Sequence, residues 1–253
     1  MTQEKFINKI EKMKKDVKID ISNIPDKYKK WLLLNYGRED SEKVLIEEEN
    51  LAFQVGKGKL PPVLEIWIPS RECFVLGKNF AKRLKKRGLM DRIRAAGVPL
   101  ILRSSGGEAI FHDSTCLNFG AIVPRKFYPD LFDIGKAFIL LSSGVVYYLK
   151  KMKIPVYFGK TRTFCPGSYD LLVRERKIAG LSLLLRQNFC LVHGTLFVNT
   201  RHGYLEKIKV FYPSLDEKIT SIKALTGKRM HMNDVADGII QGYKASLKIT
   251  FCN

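Results

Sequence analysis

The chain has 253 residues, with 44 Lys and Arg against 25 Asp and Glu, so its formal charge is +19. With 45% hydrophobic and 27% charged residues it lies in the globular range, which excludes wholesale disorder and leaves room for one large domain plus a small appendage. No apolar stretch reaches the ~20 residues a membrane span needs, because Ser142, Ser143 and Gly144 interrupt the longest one, Phe138 to Leu149. Met1–Lys18 is charged throughout and lacks the apolar core of a signal peptide. Five cysteines without paired spacing point to a reducing compartment, so the expectation is a soluble cytoplasmic protein with no membrane association.

In chain order, the first 58 residues read as helical. Phe6, Ile7, Ile10, Met13 and Val17 recur at 3–4 spacing, Trp31 to Leu34 make a second apolar patch, and Ser41 is placed to cap a helix opened by Glu42. Glu47, Glu48 and Glu49 fall early in that helix, where negative charge suits the dipole. Pro61-Pro62 ends this part. Val63–Ile68 and Cys73–Leu76, joined through Pro69-Ser70, suggest a hairpin. A basic helix is expected near Lys85–Ala96, closed by Gly97. Strands are expected at Val98–Leu102, Ala109–Phe111 and Leu117–Val123. Pro129–Met152 reads as the longest helix, with Leu131, Ile134, Phe138, Leu141, Val145, Tyr148 and Met152 as its apolar stripe. After Val156–Phe158, the segments Tyr169–Val173, Lys177–Leu185 and Phe189–Val198 have the even spacing of an antiparallel meander. Helices near Lys218–Leu225 and Asn233–Leu247 follow. Blocks of strands flanked by helices make this an α+β fold with a mixed or antiparallel sheet.

Charge is unevenly placed. Residues 1–49 carry 11 basic and 11 acidic side chains, whereas residues 57–103 carry 12 basic and 3 acidic. Lys82, Arg83, Lys85, Lys86 and Arg87 are the centre of that surplus. Such a run attracts an anionic partner, though a solvated helix face also fits. No helix-turn-helix, aromatic RNA-binding motif or zinc finger is present, which disfavours nucleic acid.

Three segments could carry chemistry. In Arg103-Ser104-Ser105-Gly106-Gly107, a strand runs into paired glycines whose amides can approach a ligand closely, and Arg103 can bind a carboxylate or phosphate. A tight turn would have the same composition. In Lys160–Asp170, Pro166-Gly167 specifies a turn that puts Cys165 at a loop tip, where Lys160 and Arg162 could favour a nucleophilic thiolate. An incidental loop cysteine is equally compatible. Cys116 is the rival nucleophile, Cys73 and Cys190 look like core, and Cys252 lies near the end. In Arg176–Ser182, Lys177 interrupts an apolar strand; it either faces a cavity that holds a negative or polarised group or points to solvent. His193 has no second ligand at metal spacing, so no metal site is expected.

Taken in order, Leu64-Glu-Ile-Trp67, Val75-Leu-Gly77, Arg103-Ser-Ser-Gly-Gly107, His112-Asp113, Tyr169-Asp-Leu171, Arg176-Lys-Ile-Ala-Gly180 and His193-Gly-Thr195 resemble the lipoate and octanoate attachment family, which shares one catalytic fold with the biotin ligases. The likeness runs from about Glu48 to Val198. The Gly-Arg-Gly-Arg segment of the biotin ligases is missing. Cys165-Pro-Gly-Ser-Tyr-Asp-Leu171 is similar to the octanoyl-[GcvH]:protein N-octanoyltransferases, whose loop cysteine carries the acyl group. Glu108 stands where ligases have a third glycine, and Leu183-Leu184-Leu185 replaces a polar stretch.

The resemblance implies a catalytic domain over residues 46–253, and the helical extension read over residues 1–45 lies outside it. It implies Cys165 as nucleophile and Lys177 as holder of the carbonyl oxygen. Arg103, Ser105, Gly106, Gly107, His112, Val75, Leu76, Gly77, Asp170, Gly180 and His193 would line the substrate site. An acylated donor protein and acidic acceptor lipoyl domains would be the partners, the latter meeting the Lys82–Arg87 patch, and no cofactor would be needed. A ligase would instead need ATP and magnesium, and a third possibility is a binding module that has lost its chemistry.

Overall fold

The computed structural model describes residues 22, 24–95, 97–160, 164–200, 203–212 and 218–252. After a 3-10 turn at Asp26–Tyr28 come strand β1 (Lys30–Glu39) and a 16-residue helix, α1 (Ser41–Gly56). Strands β2 (Val63–Pro69) and β3 (Cys73–Gly77) precede two short helices, α2 (Lys78–Lys86) and α3 (Met90–Arg94). Strands β4 (Leu100–Arg103), β5 (Ala109–His112) and β6 (Cys116–Pro124) lead into α4 (Ile134–Leu141) and α5 (Ser143–Lys151). Four strands follow: β7 (Tyr157–Gly159), β8 (Asp170–Val173), β9 (Arg176–Leu185) and β10 (Phe189–Phe197). Helices α6 (Gly203–Ile208), α7 (Ile222–Thr226) and α8 (Met232–Leu247) and strand β11 (Thr250–Cys252) complete it.

An eight-stranded mixed sheet runs β11-β1-β2-β6-β10-β9-β8-β7, and a three-stranded sheet runs β4-β3-β5. The α+β expectation holds, and the meander of β8, β9 and β10 forms as predicted. Side-chain alternation along the strands sorts the large sheet into two unlike faces. Leu64 and Ile66 of β2, Leu117, Phe119, Ala121 and Val123 of β6, and Cys190, Val192 and Leu196 of β10 join the main core, with residues of α4, α5 and α8. The intervening positions Glu65, Asn118, Gly120, His193 and Thr195 therefore share the opposite face, where α1 and the small sheet lie. This second face holds the polar groups.

Several expectations are overturned. Trp31–Leu34 is part of β1 rather than a helix, so the helical reading of residues 1–45 fails for this described part. Four apolar residues in a row have no period of their own. Parallel pairing with β2 and with the distant β11 decides the matter and leaves Trp31 fully buried. The helix expected around Phe6–Val17 lies outside the described residues. The cap of α1 is Asp40, whose carboxylate accepts from the Glu42 amide at 2.7 Å, whereas Ser41 turns inward. β2 and β3 form no hairpin, because both edges of β2 are taken by β1 and β6.

The basic helix is two helices broken at Gly88, whose φ of +67° ends the first. The long helix is likewise divided. A 3-10 turn covers Pro129–Phe132, and Ser142, fully buried with its hydroxyl donating to the Phe138 carbonyl at 2.6 Å, separates α4 from α5. Ile134 heads α4 and is 52% exposed, outside the stripe assigned to it. The helix expected to start at Lys218 starts at Ile222, capped by Ser221. Among the described residues no helix is long and apolar enough to cross a membrane.

Candidate active site

Strand β9 carries Lys177 into the interior with 0% of its surface exposed. A buried ammonium is tolerated only when its protons are satisfied. Its Nζ lies 2.8 Å from Asp170 Oδ2 and donates to the backbone carbonyls of Phe164 and Cys165 at 2.9 and 2.8 Å. The Asp170 carboxylate also accepts from the amides of Gly167 and Leu181, at 3.0 and 3.2 Å. Burial pushes the Asp170 carboxyl up from its usual range, against the pull of Lys177 and those amides.

The carbonyls that Lys177 binds belong to the loop that presents Cys165. Cys165 has φ +44°, a left-handed conformation rare outside glycine, and it directly precedes the Pro166-Gly167 turn. Its Sγ accepts from the Glu108 amide at 3.1 Å and lies 3.8 Å from the Arg103 guanidinium. Arg103 is itself fixed by two hydrogen bonds to the Gly106 carbonyl, at 3.2 and 2.9 Å, and Ser182 donates to the same oxygen at 2.7 Å. Gly107 has φ +93°, and a Cβ there would stand 3.2 Å from the Cys165 sulfur and 2.6 Å from Arg103. Only glycine lets the strand, the guanidinium and the sulfur meet. The cation beside the thiol is thus Arg103; of Lys160 and Arg162, to which that part was assigned from the sequence, Lys160 is exposed and Arg162 lies outside the described residues.

Cys165, Lys177, Asp170, Arg103, Gly180 and His193 border a single cavity of about 30 Å³, closed by Leu45, Trp67, Val75, Ile110 and Leu181. That is room for about one water. Five of the residues assigned to the substrate site do not border this cavity. Leu76 points away from Val75 across β3 and is fully buried in the core, so it does not line the cavity. Gly77, Ser105, Gly106 and Gly107 border a separate cleft of about 650 Å³ with Lys78, Lys82, Arg83 and Leu183–Leu185. Glu108, whose amide donates to the sulfur, borders this cleft as well.

Both histidines are held in the buried layer by a partner on each ring nitrogen. His112 Nδ1 is 3.0 Å from Ser41 Oγ and its Nε2 is 3.1 Å from Thr195 Oγ1, which donates on to Asn118 at 2.7 Å. His193 Nδ1 is 2.7 Å from Glu48 Oε2, and its Nε2 is 2.6 Å from Ser105 Oγ. Burial, reinforced by Arg103, drives both imidazoles down to about 3, so they are neutral. Cys116, the rival nucleophile, is fully buried, and burial drives its thiol pKa up; Cys73 and Cys190 are core as expected.

Glu48 and Ser182 were missed by sequence reasoning. For Glu48 a signal existed: Val44, Leu45, Glu48, Ala52 and Val55 form the one buried stripe of α1 at helical spacing, so the middle glutamate of the run had to face inward. Lys82, Arg83, Lys85, Lys86 and Arg87 are exposed on and just after α2; Arg83 pairs with Glu108 at 3.3 Å and the rest face solvent.

A mixed sheet of this order carries a loop cysteine of left-handed backbone conformation beside a buried lysine–aspartate pair. Residues 41–244 match the lipoyl protein ligase A/B catalytic domain, and the chain belongs to that family. The octanoyltransferase LipM of Staphylococcus aureus (strain NCTC 8325 / PS 47) is 24% identical over 247 residues, covering 87% of each chain. The octanoyl-[GcvH]:protein N-octanoyltransferase of Kyrpidia tusciae is 28% identical over 168 residues, covering 62% of this chain and 57% of that one. Among solved structures, lipoate-protein ligase A bound with ATP superposes with a TM-score of 0.66 at 20% identity, covering 88% of this chain and 87% of that one. A bipartite lipoate protein ligase from Thermoplasma acidophilum gives 0.61 at 19% identity, covering 88% and 86%. These two likenesses establish the fold.

Proposed function

We propose that this chain moves an octanoyl or lipoyl group from an acylated donor onto a lysine of a lipoyl domain, with Cys165 carrying the acyl group as a thioester. The observation that carries this reading is the sulfur itself: it accepts an amide hydrogen bond at 3.1 Å, faces a fixed guanidinium, and shares a cavity with Lys177. In the first step sulfur attacks the acyl carbonyl and the donor's leaving group departs. In the second, the acceptor nitrogen attacks the thioester and the thiol returns. Dividing one difficult exchange into two easier ones is the benefit of covalent catalysis.

In the conformation described, all three protons of Lys177 are used, two of them by carbonyls of the cysteine loop. The lysine is therefore available to an acyl oxygen when the loop withdraws and the incoming carbonyl takes the place of a backbone one. The apolar walls at Leu45, Val75, Ile110 and Leu181 must part as well, because the cavity of about 30 Å³ is too small for an eight-carbon chain. Burying that chain contributes on the order of 0.8 kcal/mol per CH₂, enough to drive such an opening. The exposed Lys82–Arg87 patch, next to the cleft behind Gly107, receives an acidic acceptor domain. All five cysteines are free, in keeping with a cytoplasmic setting in which a carrier thiol stays reduced.

No ATP or magnesium is required by this scheme. Intact-mass measurement after mixing with an octanoylated donor tests it: an adduct mapped to Cys165 is expected, and unimpaired turnover by Cys165→Ala would refute it. Lipoate-dependent pyrophosphate release would reveal a ligase instead.

A further inference from the structure

Glu48 and Glu65 are carboxylates that the scheme above does not use. They are 2% and 0% exposed, on α1 and β2. Both converge on Gly120 of β6: a Cβ there would lie 2.5 Å from Glu48 Oε1 and 3.4 Å from Glu65 Oε2. Those same two oxygens have no hydrogen-bond partner among the described residues. Two bare carboxylates cannot occupy such a place. Burial, and for Glu65 the charge of Glu48, pushes both well above the ordinary carboxylate range, which favours a proton held between them.

The outer oxygen of each glutamate leads elsewhere. Glu48 Oε2 is 2.7 Å from His193 Nδ1, and His193 Nε2 is 2.6 Å from Ser105 Oγ, with His193 bordering the cavity that holds Cys165 and Lys177. On the other side the half-buried Tyr36 hydroxyl donates to Glu65 Oε1 at 3.1 Å. Arg103 and Glu49 act on Glu48 from β4 and α1, Glu47 acts on Glu65 and Tyr36, and Arg103 and His112 face His193. Two hydrogen-bonded runs result, Ser105–His193–Glu48 beginning at the cleft beside the cavity and Tyr36–Glu65 on the outer side, and their unpartnered carboxylate oxygens both face Gly120.

We propose that Ser105, His193, Glu48, Glu65 and Tyr36 form a proton path that removes the proton the acceptor lysine must lose. The inference rests on the acyl-transfer reading. A lysine reaches the enzyme as an ammonium, because its pKa is near 10.4. When its nitrogen lone pair forms the C–N bond, the C–S pair returns to sulfur; one proton goes to that sulfur, and a second must leave. Neutral His193 takes this proton at Nε2 through the Ser105 hydroxyl and passes its Nδ1 proton to Glu48. The carboxyl pair passes one on through Glu65: Tyr36, which donates to Glu65 Oε1 at rest, turns to give its own hydroxyl proton to solvent as it accepts the proton of Glu65. Gly120 is what permits the link, since any side chain there would separate the two glutamates.

The test compares two acceptors in single turnovers at neutral pH. Glu65→Gln should slow transfer to a lipoyl-domain lysine by on the order of 10- to 100-fold. It should leave transfer to hydroxylamine unchanged, because that amine is already uncharged. Tyr36→Phe, at a half-buried site that tolerates it, should slow the lysine reaction selectively but less. Equal slowing of both acceptors, or of neither, overturns the path. Infrared spectroscopy gives a separate readout: at neutral pH the unaltered protein should show a buried carboxylic-acid C=O band that disappears in Glu48→Gln/Glu65→Gln. Absence of that band overturns the path whether or not Cys165 carries the acyl group. A band without an adduct on Cys165 would refute the thioester reading instead.

Discussion

Asp170 and Lys177 face each other at 2.8 Å with 1% of each side chain exposed. Neither charge could stay there alone, and the lysine's other two protons are spent on the loop that carries Cys165. The ion pair therefore fixes a catalytic candidate and a loop conformation at once.

Removing the anion should be severe. Asp170→Asn leaves an uncompensated buried ammonium, a change that typically destabilises by about 3–5 kcal/mol. Urea unfolding should show it, and Asp170→Asn combined with Lys177→Met should recover much of the loss. Equal stability of the single and double variants would contradict this account.

Gly107 and Gly106 should differ sharply. At Gly107 an alanine would take up φ +93° and press on both Arg103 and the sulfur, whereas a Cβ at Gly106 meets nothing within 4 Å. Gly107→Ala is expected to cost about 1–3 kcal/mol of stability from backbone strain and to slow acyl loading. Gly106→Ala should do neither. Thermal unfolding and intact-mass loading of the two variants, measured side by side, decide the point.

His112 and His193 set an acid limit. Each falls from 6.5 to about 3 on folding, chiefly by burial, so the unfolded chain binds more protons than the native one across that interval. The stability they contribute is full above pH 6.5 and is lost as pH falls toward 3. Glu48 and Glu65 act in the opposite sense: raised above 4.5, they hold a proton that the unfolded chain gives up, so their share declines as pH rises through and above 4.5. Glu65→Gln should therefore gain stability relative to the unaltered protein as pH increases. A pH-independent difference would show that Glu65 is not protonated in the fold.

Lys82, Lys85 and Lys86 should matter for encounter rather than chemistry. Changing all three to glutamate should raise KM for an acidic lipoyl domain and flatten its salt dependence, while kcat stays unchanged because the patch lies outside the cavity. An unaltered KM would assign the docking of the acceptor to another surface.

Much of the site was legible because its residues break local patterns: a lysine in an apolar strand, a cysteine before Pro-Gly, a glycine pair after a strand. The lysine and the cysteine meet at one cavity while the glycine pair borders the cleft beside it, an arrangement that no single motif gives. What stayed hidden depends on distant partners. β1 reads as a helix because Trp31–Leu34 has no period, and its strand character comes from β11, more than 200 residues away in sequence. The β2–β3 hairpin failed because β6 claims the edge that β3 would use. Glu48 was taken for a dipole-compensating surface charge, although its place on the apolar stripe of α1 gave it away.

The two unlike faces of the large sheet also act as a registration mark. Sliding β2, β6 or β10 by one residue would drive Glu65, Asn118 or His193 into oil and turn Phe119 or Val192 toward the hydrogen-bonded layer. Mispaired sheets are thus penalised by the very side chains that equip the cavity. A version of this protein with those groups replaced by hydrocarbon would melt later, yet it would lose the means of telling the correct alignment from its neighbours.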